Sequence, residues 1–124
     1  MRTIPSRAGF LAARSNGEKA LSRGIVIQAI ENGSSQWRIG LTATKKIGNA
    51  VTRNRARRRM RALARSYLGP LAQPGTDYVL IARRDTINAD WQDMAKGLQK
   101  AIRYLHHRIN RSGTRWSVKA PDQK

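Results

Sequence analysis

Seven arginines fall between Arg53 and Arg65, with no acidic residue among them. A planar guanidinium can grip two phosphate oxygens at once or lie flat on a base, so arginine in this density points to phosphate chemistry. At helical spacing, Arg57, Arg61, Asn54, Arg65 and Arg58 share an arc of about 100°, with Arg55 and Arg59 beyond it. Ala56, Met60, Leu63 and Tyr67 form an apolar stripe on the opposite side. A merely solvated face mixes charge signs. Here Arg53, Arg57, Arg61 and Arg65 make like-charge i,i+4 steps that together cost about 1 kcal/mol. A bound polyanion offsets that cost, and Asn54, at the centre of the arc, suits a base edge or a 2′-hydroxyl. Composition alone does not choose between RNA and DNA.

Just upstream, Lys45, Lys46, Gly48 and Asn49 stand where a strand hands over to the arginine helix. Backbone N–H groups are free at such a junction and can seat a phosphate between the two lysines. As a motif this Lys-Lys-x-Gly-Asn run is weak, because many loops contain it. Protein-borne catalysis has less support. No paired carboxylates or His-x-x-x-His spacing suggests a hydrolase or a metal site. His106 and His107 read as residues favoured by a helix C-terminus, and Asp85 reads as a local ion-pair partner of Arg83 or Arg84.

The elements that must position these residues follow from periodicity. Ser6 caps a short helix carrying Phe10 and Leu11. Residues 24–30 and 36–43 read as strands, joined through Asn32-Gly33 as a hairpin. Asn49 caps the arginine helix, and Gly69-Pro70 ends it. Residues 75–84 form a strand that is apolar throughout its middle and therefore central. Asn88 then caps a long helix with Trp91, Met94, Leu98, Ala101, Ile102, Leu105 and Ile109 on one face. Trp37, Trp91 and Tyr78 belong to the core, and Trp116 has no assignable role. With a short strand near residues 19–23, the order is α-β-β-β-α-β-α. The expected fold is an α/β sandwich (α+β) with three helices on a small mixed sheet of about four strands. Residues 1–110 make one nucleic-acid-binding domain, and 111–124 a disordered basic tail.

The whole chain supports a polyanionic partner. Its 124 residues carry 25 Lys+Arg against 7 Asp+Glu, a formal net charge of +18, and that field gathers negative ligands and repels other copies. From Asn32 to Thr76 there is no Asp or Glu at all. The absence of cysteine excludes disulfides and thiolate metal sites. No apolar run nears the roughly 18 residues needed to cross a bilayer, and the N-terminus lacks a secretory h-region. A cytoplasmic protein without a membrane partner is expected.

Residues 38–65, RIGLTATKKIGNAVTRNRARRRMRALAR, closely resemble the signature of the bacterial ribonuclease P protein subunit. The resemblance continues through Phe10, the DYVLIARR strand (77–84) and the last helix, covering about residues 4–108. It implies a fold with a left-handed β-α-β crossover around the arginine helix, contrary to the usual hand. It also implies an accessory subunit of an RNA-based endonuclease that removes the 5′ leader of precursor tRNA. The cutting would be done by a large catalytic RNA with Mg²⁺, in a 1:1 complex that needs no other protein. Carried over, Arg53, Asn54, Arg55, Arg57, Arg58, Arg61 and Arg65 face the catalytic RNA. Phe10, Arg14, Gln28, Lys45, Lys46, Asn49, Arg83 and Arg84 face the leader or nearby backbone. The chain departs from the family around Ala13–Arg14 and at Gln28, where the family carries aromatics. The alternatives are a structural RNA binder such as a ribosomal protein, or an architectural DNA-binding protein.

Overall fold

The computed structural model describes residues 2–111. The elements are β1 (Arg2–Thr3), α1 (Arg7–Asn16), β2 (Glu18–Ser22), β3 (Ile25–Glu31), β4 (Arg38–Thr42), α2 (Ala50–Leu63), β5 (Thr76–Ala82) and α3 (Trp91–Arg111). The expected tail, with Trp116, lies outside the described residues apart from Arg111, which ends α3. The strands form one five-stranded sheet in the order β1-β4-β5-β3-β2. β5 is central, as its apolar run requires, antiparallel to β3 and parallel to β4. Its parallel neighbour β4 reaches it through α2, a β-α-β unit. α1 covers one face of the sheet, packing on Val79 and Ile30, while α2 and α3 share the other.

The strand count among the described residues is five, not four, because Arg2 and Thr3 pair in parallel with Arg38 and Ile39 at the sheet edge. A two-residue strand leaves no periodicity to read. The expected hairpin at Asn32-Gly33 does not form. β3 and β4 are separated by β5, so the connection must span two strand spacings, about 10 Å. Asn32 serves that longer loop instead. Its Oδ1 accepts from Ser34 N at 2.7 Å, and its Nδ2 donates to Asp77 Oδ1 at 2.8 Å. The tight turn of the sheet is at Arg23-Gly24, where Ser22 pairs with Ile25 and Gly24 takes φ +78°.

The larger core joins Ile25, Ile27, Tyr78 and Leu80 of the sheet to Met60 and Leu63 of α2 and Met94, Leu98, Ile102 and Leu105 of α3. Each fully buried side chain of this size contributes about 1.5–3 kcal/mol. Asn49 caps α2 as expected, its Oδ1 accepting from Thr52 N at 2.9 Å. Past Leu63 the helix widens into one π turn, Ala64–Leu68, with Gly69 N donating to Ala64 O at 2.9 Å. The extra residue brings Leu68 into the core below Ala64 and leaves Tyr67 only half-buried, at the end of the expected stripe. On α3 the cap is Asp90 rather than Asn88, since Asp90 Oδ2 accepts from Asp93 N at 3.0 Å.

Candidate nucleic-acid interface

The site begins where β4 gives way to α2. The chain leaves Thr42, passes a single 3₁₀ turn at Lys45–Ile47, and bends at Gly48 with φ +151°, a value that favours glycine. Lys45, Lys46 and Asn49 are all exposed there. β4 and β5 run parallel with Thr42 opposite Ile81, so Arg83 and Arg84 leave the sheet at the same end as the two lysines. Four cations and the start of α2 thus share one end of the sheet, although 37 residues separate Lys46 from Arg83 in sequence.

Along α2 the arginines divide into two kinds. Asn54, Arg55, Arg58, Arg61 and Arg65 are exposed, whereas Arg53, Arg57 and Arg59 are partly covered. Arg57 Nη1 donates to Asn54 Oδ1 at 3.1 Å, and its Nη2 reaches Ala43 O at 3.5 Å. That pair fixes the Asn54 amide with its NH₂ group turned away from the bond. Arg59 points inward: its guanidinium donates to Ile87 O and, at 2.9 Å, to Ala89 O. It also stacks 5.6 Å from the Trp91 ring centroid. Arg59 therefore fastens α2 to the approach of α3, consistent with its place outside the arginine arc. Arg38 is likewise structural, held in a bidentate pair with the buried Asp77 at 2.7 and 2.8 Å.

Two grooves flank the exposed arc. One, of about 510 Å³, is lined by Val51, Asn54, Arg57, Arg58 and Arg61. The other, of about 370 Å³, opens at the sheet edge between Thr3, Ile4, Phe10, Ile39, Leu41 and the arginines Arg57, Arg61 and Arg65. It opens where β1 ends. Ile4 N still donates to Ile39 O at 2.9 Å, after which the chain turns at Pro5 and Ser6 into α1, so the edge of β4 beyond Ile39 has no strand partner in β1. Phe10 reaches the groove across Gly40, where a Cβ would fall 2.5 Å from the ring's Cζ. Only glycine permits that approach.

The sequence assigns Phe10 and the arginine arc to separate surfaces, and the structure puts them on one groove. The link passes around the sheet edge, from the α1 face to the α2 face, and no local pattern carries it. Ile4, Ile39 and Leu41 were missed as groove residues for the same reason. Arg14 is exposed one turn beyond Phe10, on the part of α1 that runs toward β3. Gln28 is different: it pairs in register with Val79 on the α1 face and is only 6% exposed. A side chain so covered offers little surface to a ligand.

The histidines do not extend the site. His106 lies five residues before the end of α3, so its expected role at a helix C-terminus is corrected to that of a core partner. Its Nε2 is hydrogen-bonded to the Tyr78 hydroxyl at 2.7 Å, and that hydroxyl also accepts from Gln73 N at 2.9 Å. Burial lowers the His106 pKa and pushes Tyr78 up to about 12, which keeps both neutral. Among the described residues no group of three or more His, Asp or Glu side chains could hold a metal ion. None of the described helices is long and apolar enough to cross a membrane.

The family model described as Ribonuclease P matches residues 2–106. The chain is 42% identical over 106 residues to the ribonuclease P protein component of Ruegeria pomeroyi, covering 83% of this chain and 85% of that one. It is 43% identical over 117 residues to that of Caulobacter vibrioides, covering 92% and 77%. In fold it resembles the ribonuclease P protein of Thermotoga maritima, with TM-score 0.70, 23% identity and coverage of 84% and 97%. The Staphylococcus aureus protein superposes with TM-score 0.68, 23% identity and coverage of 84% and 94%.

Proposed function

The chain belongs to the ribonuclease P protein family, and from that premise we propose how its surface serves the enzyme. It is the accessory protein subunit of an endoribonuclease whose partner is the ribonuclease P RNA, acting in tRNA processing. Family membership decides against the ribosomal-protein and DNA-architectural alternatives.

In our reading α2 is the main contact to the catalytic RNA. The observation that carries it is the division of the arginines: two cations, Arg38 and Arg59, are committed to the protein's own carboxylate and carbonyl groups, while the exposed arc faces two open grooves. Phosphates of the RNA lie along Arg55, Arg58, Arg61 and Arg65, with Arg53 and Arg57 beside them. The Asn54 amide, steadied by Arg57, donates to a base edge or a 2′-hydroxyl. The 5′ leader of precursor tRNA runs past Phe10 and the sheet end where Lys45, Lys46, Asn49, Arg83 and Arg84 gather, with Arg14 flanking it. A base stacks on Phe10 inside the edge groove, and charge does the rest. Gln28, being covered, shapes the face beneath α1 without touching the leader.

The complex is 1:1, cytoplasmic, and needs no second protein. Mg²⁺ held by the RNA supplies metal-assisted hydrolysis. This chain's residues contribute the phosphate and base contacts that raise substrate affinity.

The test is precursor-tRNA cleavage by reconstituted protein and RNA at limiting Mg²⁺, comparing substrates with a long and a one-nucleotide leader. The protein should favour the long leader, and Phe10→Ala should reduce that preference with the fold intact. An unchanged preference would remove Phe10 from the leader site.

A further inference from the structure

A third groove, of about 680 Å³, lies between β2 and α3 and involves none of the residues assigned to the RNA or leader contacts above. Lys19 and Leu21 of β2 and Lys100 and Tyr104 of α3 line it, with Gly97 and Ala101 in its floor. Lys19 and Lys100 are exposed, Leu21 is 68% exposed and Tyr104 50%. Among the described residues β2 is the last strand of the sheet and pairs only with β3, so no described strand lies on its outer backbone edge. Four strand spacings separate it from β1, about 19 Å, so one nucleotide cannot occupy this groove and the Phe10 groove together.

Its chemistry is that of a stacking platform. Tyr104 offers an open ring, with the Arg108 guanidinium 5.9 Å from its centroid. The neighbouring acid, Glu18, is engaged by Arg108 Nε at 3.4 Å, which leaves Lys19 and Lys100 to set the sign of the groove. An aromatic face between two cations suits a base flanked by phosphates. A second copy of this chain fits poorly, since docking groove to groove would bring each pair of lysines against its equivalent in a molecule of net charge +18.

We infer that the β2–α3 groove is a second RNA-binding surface that takes a single-stranded segment of the same RNA, with a base on Tyr104 and phosphates at Lys19 and Lys100. The inference rests on the ribonuclease P reading, which supplies the RNA. The protein would then be gripped at both edges of its sheet.

The chain has no cysteine, so a single introduced one can carry an iron–EDTA tether. Lys100→Cys and Arg58→Cys are each assembled with in vitro transcribed ribonuclease P RNA from the same organism, and the radical cleavages are mapped. Position 100 should cut a discrete RNA segment distinct from that cut by position 58. Independently, Tyr104→Ala should weaken RNA binding about tenfold with an unchanged melting curve. Cleavage from position 58 with silence at 100 overturns this inference and leaves the arginine face standing. Silence at both overturns it together with the reading beneath it. A protein dimer that sedimentation detects and Tyr104→Ala dissolves would assign the groove to a second copy and overturn it as well.

Discussion

Two helices lie side by side on the same face of the sheet and are built on opposite plans. α3 opens with Asp90 and Asp93 at its positive end and buries Met94, Leu98, Ile102, Leu105 and Ile109 to within 1% of full burial. α2 buries only Ala56, Met60 and Leu63, and carries six arginines, with Arg65 a seventh on the π turn that follows, and no acid to balance them. α3 is made to hold the molecule together. α2 gives up local stability for a charged outer face and is held in place by its neighbours. The division is sharpest at Arg58 and Arg59: the first is exposed beside a groove, and the second is tied to Ile87, Ala89 and Trp91.

That contrast can be broken by substitution. The largest loss of stability should come from Leu98→Ala on α3, about 2–5 kcal/mol in urea or thermal unfolding, with the salt dependence of RNA binding unchanged in the folded fraction. A mild Leu98→Ala would mean that α3 is not the main support. Arg59→Ala should come next, at about 2 kcal/mol, because it removes charged donors from two carbonyls. It too should leave the salt slope alone; a flatter slope would place Arg59 among the RNA contacts. Arg58→Ala should invert the pattern, changing stability by less than about 0.5 kcal/mol while flattening the slope of log affinity against log salt by about 0.7–0.9.

The smallest effect concerns His106. Burial depresses its pKa below the ordinary 6.5. Its contribution is therefore fully present above pH 6.5 and is lost as pH falls through the folded value, where the unfolded chain binds the proton first. Unfolding midpoints between pH 7 and 5 should decline for the wild type and decline less for His106→Gln. An equal decline would mean that burial of the His106 ring carries no proton linkage.

The elements that could be read from sequence are those whose signals are local and mutually consistent. The Asn49 cap, the stripe on α2, the apolar run of β5 and the α3 face each declare themselves within a dozen residues. Where the sequence misleads, a distant segment has overruled a local preference. Asn32-Gly33 has the composition of a hairpin, yet β5 is so apolar that it takes the slot between β3 and β4. Asn32 then holds its loop through Asp77, 45 residues away. The π turn at Ala64–Leu68 shifts the stripe by one position without any sequence mark. For the site, residue types were legible and their grouping was not. Arginine density named the ligand class, whereas the meeting of Phe10 with Arg57, Arg61 and Arg65 depends on a sheet edge that only the topology defines.

The early end of β1 bears on how the protein survives before it finds its RNA. The uncovered edge of β4, Leu41–Thr42, is short and partly apolar, a template on which nascent copies could join strand to strand. Arg57, Arg61 and Arg65 stand over that same opening. A second molecule arriving edgewise would set three guanidiniums against three, whereas a polyanion meets no such barrier. One row of side chains can thus guard the newly made chain from self-association and yield to the ligand it awaits.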